Sequence, residues 1–100
     1  MNLNEAALTL RAKLAVFLTR AEMALTEWEQ ASGTLSDPVA QQEVRNGLTI
    51  HRAGLQQQRS ILQERLNLTV EELAEMIAAV SEVVGAANTF YGMSRALAAA

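Results

Sequence analysis

The sequence predicts an all-α protein, with a long antiparallel helical hairpin followed by a C-terminal helical segment. Apolar residues recur at alternating steps of four and three from Leu3 to Leu35, which is typical of a helix packed along its length against another helix. The chain also has only 1 Pro and 5 Gly in 100 residues, so long helices meet few interruptions. Half of the residues are apolar but only 4% are aromatic, so the predicted core depends on close helix approach.

The first helix is predicted between Asn4 and Ser32. Asn2 or Asn4 fits its N-cap, and Glu5 lies in the first turn, where the helix dipole favours an acidic side chain. Flanking apolar residues widen its apolar stripe beyond a two-stranded seam, which favours a bundle of three or more helices. Trp28 fits either a core anchor or an anchor for a separate partner. The stripe consists of Leu3, Ala7, Leu10, Leu14, Phe17, Ala21, Ala24, Trp28, Ala31 and Leu35, with Leu18 and Leu25 beside it.

The clearest break in the chain lies between Ala31 and Pro38. Gly33 fits the position after a helix end, and Ser36 or Asp37 fits an N-cap with Pro38 at the first helical position. Because this connection is short, the next helix is predicted to be an antiparallel neighbour. The chain then reads as one helical domain, with a first helix and turn at 1–36, a second helix at 37–67 and a C-terminal segment at 68–100.

The second helix, predicted from Pro38 to Leu66, carries glycines beside its apolar seam. Gly47, Gly54 and Ile61 recur every seven residues on one side. Each glycine costs about 1 kcal/mol of helix propensity relative to alanine, so the pair suggests close approach by another helix. The alternative is a helix that bends or frays at Gly47. The seam itself consists of Val44, Leu48, His51, Leu55, Gln58 and Leu62.

His51 and Gln58 are polar residues on this otherwise apolar seam. No His, Cys or carboxylate lies three or four residues from His51, so the helix offers no same-helix metal pair. We interpret both as polar seam residues that fix the register, or as half-exposed side chains. The chain also lacks Gly-rich phosphate loops and nucleophile motifs. No catalytic residue, cofactor site or metal site is therefore predicted, and the chain is not expected to be an enzyme.

Three arginines, Arg45, Arg52 and Arg59, repeat every seven residues along the second helix. Such a line usually marks a solvated face. No opposite charges stand three or four residues apart within a predicted helix, so each charge is either solvated or directed at another helix. Glu75 and Glu82, which are also seven residues apart, are candidate partners for the arginine line.

The C-terminal segment is the most apolar part of the chain. Thr69 and Glu72 form a capping box at its start. Beyond them the helix is apolar most of the way round, so it must be covered on several sides. It therefore either breaks near Gly85 and folds back, or binds a second chain. The residues predicted to form this partner interface are Met76, Val83, Val84, Phe90, Tyr91 and Leu97.

Charge and termini narrow the function classes. A net charge of −3 argues against a general nucleic-acid binder, which needs a basic face. The N-terminus lacks a signal-peptide pattern and no window is apolar enough for a membrane span, so a cytoplasmic location is expected. The absence of cysteine is compatible with a reducing compartment.

Two stretches resemble known families. Leu68 to Ile77 resembles the opening helix of helix-turn-helix domains, which implies a recognition helix after a short turn, with Asn88, Thr89, Tyr91 and Arg95 as its polar side chains. The chain length and Trp28 also resemble the small secreted helical hairpins that share a Trp-X-Gly motif. Since Trp28 is followed by Glu29 and Gln30 without the glycine of that motif, the chain is not assigned to that family.

The function predicted from the sequence is a small helical protein–protein interaction module. It is expected to act as a chaperone, an adaptor or a self-associating assembly accessory that buries its apolar C-terminal helix against a partner. That partner is a second copy, giving a homodimer, or another helical protein. The alternative is a DNA-associated regulator that uses the arginine line or the helix starting at Thr69, and it predicts binding that weakens steeply as salt rises.

Overall fold

A computed structural model describes the backbone of residues 2–99 and the side chains of residues 2–89. It contains three helices, α1 (Leu3–Ser32), α2 (Pro38–Glu64) and α3 (Val70–Ala99), and no strand in the described backbone. The prediction of an all-α fold is confirmed. The described residues form an elongated bundle with extents of 53 × 22 × 16 Å.

Local capping sets the ends of α1 and the start of α2. The Asn2 side chain accepts a hydrogen bond from the Glu5 N–H at 2.9 Å, so Asn2 is the N-cap of α1. The Asp37 carboxylate accepts from the Val39 N–H at 3.1 Å, with Pro38 as the first helical residue. Gly33 follows the last residue of α1 as predicted, but its φ of −66° is right-handed, so this turn does not need a glycine conformation.

The C-terminal end of α2 is capped from α1. The Arg11 guanidinium donates to the backbone oxygen of Leu62 and, at 2.7 Å, to that of Arg65. The last carbonyls of a helix have no intrahelical partners and carry partial negative charge, so a cation there is favourable. The helix ends at Glu64, two residues before the predicted Leu66.

The predicted capping box is present at the start of α3. The Thr69 hydroxyl accepts from the Glu72 N–H at 3.0 Å, and the Glu72 carboxylate accepts from the Thr69 N–H at 3.2 Å. From there α3 continues without a break past Gly85 to Ala99. The predicted alternative of a break near Gly85 is therefore wrong for the described backbone.

The three helices share one core, and α1 lies at its centre. Leu14, Leu18, Leu25 and Trp28 of α1 are fully or almost fully buried. Trp28 is thus a core anchor rather than an exposed one. Leu18 and Leu25 were predicted only to flank the apolar stripe, but they are among its most buried residues. The reason is that α1 packs against two helices and therefore buries a wider face. The rest of the core is Ala21, Leu35, Val44, Leu48, Leu55, Leu62, Leu68, Leu73, Met76, Val80 and Ala87.

Specific contacts give the direction of each helix. Glu29 pairs with Arg52 and Glu22 with Arg59, so α1 and α2 run in opposite directions where they meet. The first turns of α1 and α3 line one common depression, so these two helices start at the same end of the bundle. Among the described residues α1 packs most extensively against α3, and α2 and α3 touch least.

Two sequence-based interpretations of α2 need correction. Arg52 and Arg59 pair with glutamates of α1, not with Glu75 and Glu82, because the arginine line faces the α1 side of α2 rather than α3. The close approach expected at both glycines occurs only at Gly47, where an added Cβ would stand 3.2 Å from the Trp28 ring. At Gly54 such an atom would meet nothing within 4 Å.

Candidate functional site

A cleft separates α2 and α3 next to the loop that joins them. It has a volume of about 220 Å³. Its position follows from the packing, since α1 holds both helices while α2 and α3 make few contacts with each other. The lining residues are Gln58, Ile61, Arg65, Leu68, Glu72, Glu75 and Met76.

The floor of the cleft is apolar. Leu68 and Met76 are buried, and Ile61 of α2 is partly buried against the same core. Val83 lies one heptad beyond Met76 on the same face of α3, and it too is only partly buried. Apolar surface therefore continues along α3 away from the loop.

The α2 side of the cleft lacks a large side chain at Gly54 and leaves apolar surface exposed. Gly54 lies seven residues before Ile61 on the same face, and a Cβ added there would meet no atom of another element within 4 Å. Ile50, one turn earlier, is 70% exposed. In the described part of the chain the buried Gln58 side-chain oxygen has no hydrogen-bond partner. This side of the cleft therefore has open space at Gly54, an exposed apolar side chain at Ile50 and a buried hydrogen-bond acceptor on Gln58.

Acidic side chains border the cleft on α3. Glu75 and Glu82 are exposed and form no ion pair with any described residue. Nearer the loop, Arg65 pairs with Glu72 at 2.8 Å. The Thr69 backbone N–H, which donates to the Glu72 carboxylate, and then the Arg65 guanidinium lower the pKa of Glu72. The open stretch of the cleft therefore has an unbalanced negative rim.

The predicted interface residues fall into different surroundings. Met76 is 8% exposed and belongs to the core of this chain. Val83 and Val84 are both partly buried, but on adjacent sides of α3, because consecutive helical residues are about 100° apart. The side chains of the remaining three predicted residues, Phe90, Tyr91 and Leu97, lie outside the described residues. Of these six residues, Met76 lines the cleft, and Val83 lies one heptad beyond it on the same face of α3 in a partly buried position.

The arginine line does not form a free basic face. Arg52 and Arg59 are both engaged by glutamates of α1, and only Arg45 of the three forms no ion pair with a described residue. These pairs are solvent-exposed, so each contributes little to stability, typically up to about 1 kcal/mol. Their main consequence is that two of the three positive charges are locally neutralised.

His51 packs against the tryptophan of α1. The ring centroids of Trp28 and His51 are 5.7 Å apart, with the planes tilted by 53°. His51 is half-buried, as predicted for a polar residue on the seam. No His, Asp or Glu of the described residues joins it or any other group in a cluster of three that could hold a metal ion.

An exposed apolar surface on α1 was missed by the sequence reasoning. Leu8, Val16 and Met23 are 67%, 52% and 61% exposed and lie with Ala12 on the side of α1 turned away from both other helices. We call these four residues the outer ridge. Leu8, Ala12 and Val16 line one shallow depression, with a volume of about 690 Å³, together with Lys13 and Arg20. The signal was present, because these apolar residues recur at helical spacing outside the main stripe.

The chain matches no model of a known protein family, no curated protein and no solved structure. No helix among the described residues is both long enough and apolar enough to cross a membrane.

Proposed function

We propose that this protein is a non-catalytic helical interaction module that accepts a partner helix in the cleft between α2 and α3. The observation that carries the proposal is the open packing of these two helices, with the partly buried Ile61 of α2 lining the cleft and the partly buried Val83 one heptad beyond the cleft residue Met76 on α3. A fourth helix in the cleft would complete a four-helix bundle. Such bundles commonly place antiparallel neighbours around one apolar core.

Burial of apolar surface provides the driving force. Covering the side chains of Ile50, Ile61 and Val83 would remove apolar area from water at about 25 cal/mol per Å². The missing side chain at Gly54 lets a partner backbone approach closely. The partner helix should present apolar residues at helical spacing and basic residues beside them, since Glu75 lines the cleft and Glu82 follows it on the same face of α3.

The alternative function, a DNA-associated regulator, is less well supported by the fold and by the arginine line. A helix-turn-helix domain needs a turn before its recognition helix, and α3 is continuous from Val70 to Ala99. Two arginines of the line are engaged by glutamates. We therefore retain protein–protein interaction as the proposed function. Binding of a labelled DNA duplex serves as the test of the alternative.

The test uses a helical probe, a fluorescein-labelled 21-residue amphipathic peptide made of leucine and lysine. Binding to the full chain is followed by fluorescence anisotropy. We expect saturable binding that Val83→Gln weakens at least tenfold and that Ser81→Gln, on the opposite side of α3, leaves unchanged. Thermal unfolding of both variants shows whether they remain folded.

Three results would overturn the proposal. The first is a peptide that fails to bind the wild-type chain. The second is equal binding by the folded Val83→Gln and Ser81→Gln variants, because the cleft would then not be the site. The third is tight binding of a labelled DNA duplex that falls steeply between 50 and 200 mM salt, the behaviour expected of phosphate contacts.

A further inference from the structure

We infer that the helix received by the cleft is α1 of a second copy of this chain, whose outer ridge enters between α2 and α3. This inference rests on the proposed function, and it adds the identity of the partner. It is carried by the complementarity of the outer ridge and the cleft in shape and in charge.

The shapes are complementary because large side chains project from the outer ridge, whereas the residues on either side of the cleft include small ones. The outer ridge presents Leu8, Val16 and Met23, each more than half exposed. From Leu8 to Met23 this ridge is about 22 Å long at 1.5 Å per residue. Where the cleft extends away from the loop, α2 carries Gly54, seven residues before the lining residue Ile61, and α3 carries the small, exposed Ala79, three residues after Met76. Large side chains of one helix pack best against such small residues.

The charges are complementary in sign and in spacing. Lys13 and Arg20 accompany the outer ridge. Glu75 lines the cleft, and Glu82 lies seven residues further along the same face of α3. Within each pair the residues are seven positions apart, or roughly 10 Å along a helix. None of these four side chains has an ion-pair partner in the described part of its own chain. One helix laid along the other therefore brings both positive groups to both negative ones.

The positions of the two surfaces determine the type of assembly. The outer ridge is turned away from α2 and α3, whereas the cleft lies between them, so the two surfaces are on opposite sides of the bundle. A contact between different surfaces of identical chains is heterologous. It leads to an open chain of molecules, or to a ring if the rotation closes, rather than to a two-fold dimer.

Mixing two blocked variants tests this arrangement. Val16→Asp puts an acidic group on the outer ridge and leaves the cleft intact, and Val83→Gln does the reverse. Sedimentation velocity across a dilution series should show wild-type mass growing with concentration. Each variant alone should associate at least tenfold more weakly. An equimolar mixture should form a 1:1 complex that grows no further, because it contains one working ridge and one working cleft. Thr49→Asp, on the outer side of α2, is the matched control and should behave as wild type.

Several results would overturn the inference. They are a wild-type chain that stays monomeric, a wild-type dimer that both variants leave intact, a mixture that does not associate, and a Thr49→Asp variant as defective as Val16→Asp. If the wild-type chain is monomeric but still binds the leucine–lysine peptide at Val83, only the identity of the partner is wrong. If the peptide also fails to bind, the proposed function fails with it.

Discussion

The indole ring of Trp28 lies over Gly47, so that a Cβ atom at this position would stand 3.2 Å from both Cη2 and Cζ2 of the ring. The glycine allows the largest side chain of the core to reach α2 while remaining fully buried. Gly54, two turns later on the same helix, has no neighbour of this kind. The two glycines therefore have different roles, although they occupy equivalent positions in the sequence repeat.

Alanine at these two positions should have different effects on stability. We expect Gly54→Ala to raise the free energy of unfolding by about 0.5–1 kcal/mol, the gain in helix propensity, since nothing opposes the new methyl group. Gly47→Ala should gain less or lose stability, because displacing a well-packed ring costs roughly 1–3 kcal/mol. Urea unfolding of both variants measures the difference, and equal stabilisation would contradict the assigned contact.

Replacing Arg11 should destabilise the junction between α1 and the end of α2. Arg11→Met keeps most of the apolar stem but removes the donors to the Leu62 and Arg65 carbonyls. We expect a loss of about 1 kcal/mol, within the range for a hydrogen bond from a charged group that is partly exposed. Arg45→Met, which removes an arginine without an ion pair, is the control for urea unfolding. A similar loss in both variants would mean that the cap contributes nothing specific.

Glu72 should make stability depend on pH. Its pKa in the folded chain is lowered by the Thr69 N–H and by Arg65, so its carboxylate stabilises the fold above its unfolded pKa. This contribution decreases as the pH falls from about 5 through the lowered pKa. Melting temperatures between about pH 5 and pH 3 should therefore fall less steeply in Glu72→Gln than in wild type. An unchanged slope in Glu72→Gln would contradict this role.

Reversing the charges of either proposed surface should block self-association, and reversing both should restore it. Lys13→Glu/Arg20→Glu and Glu75→Lys/Glu82→Lys should each weaken association at least tenfold in low salt. An equimolar mixture of the two should recover it, because opposite charges again face each other. Glu43→Lys/Glu64→Lys matches the second variant in net charge and should associate as wild type. A mixture of the reversed variants that stays unassociated would exclude this pairing of charges.

The sequence predicted the helices well because helix ends are encoded locally. The Thr69–Glu72 box was predicted outright, and Asn2 and Asp37 were each one of two candidate caps; all three form their capping hydrogen bonds. Such bonds join residues two or three positions apart and need no tertiary information. The α-helical class follows from the same local signals together with the apolar repeat.

The arrangement of the helices was less predictable. A repeat shows which face of a helix is apolar, but not which neighbour that face meets or at what rotation. For that reason Arg52 and Arg59 were matched with Glu75 and Glu82 when their partners are Glu29 and Glu22. The same uncertainty concealed the openness at Gly54, which depends on how far α3 stands from α2.

A spin label at Ile50 shows directly whether a helix enters between α2 and α3, and it leaves the open space at Gly54 unfilled. The chain contains no cysteine, so Ile50→Cys and the neighbouring Thr49→Cys each give one labelling site, on the cleft side and on the outer side of α2. We expect the label at position 50 to lose mobility in its electron paramagnetic resonance spectrum when the leucine–lysine peptide is added, and the label at position 49 to keep its mobility. Equal mobility changes at the two positions, or no change at position 50 when the peptide is bound, would mean that the cleft is not where the helix binds.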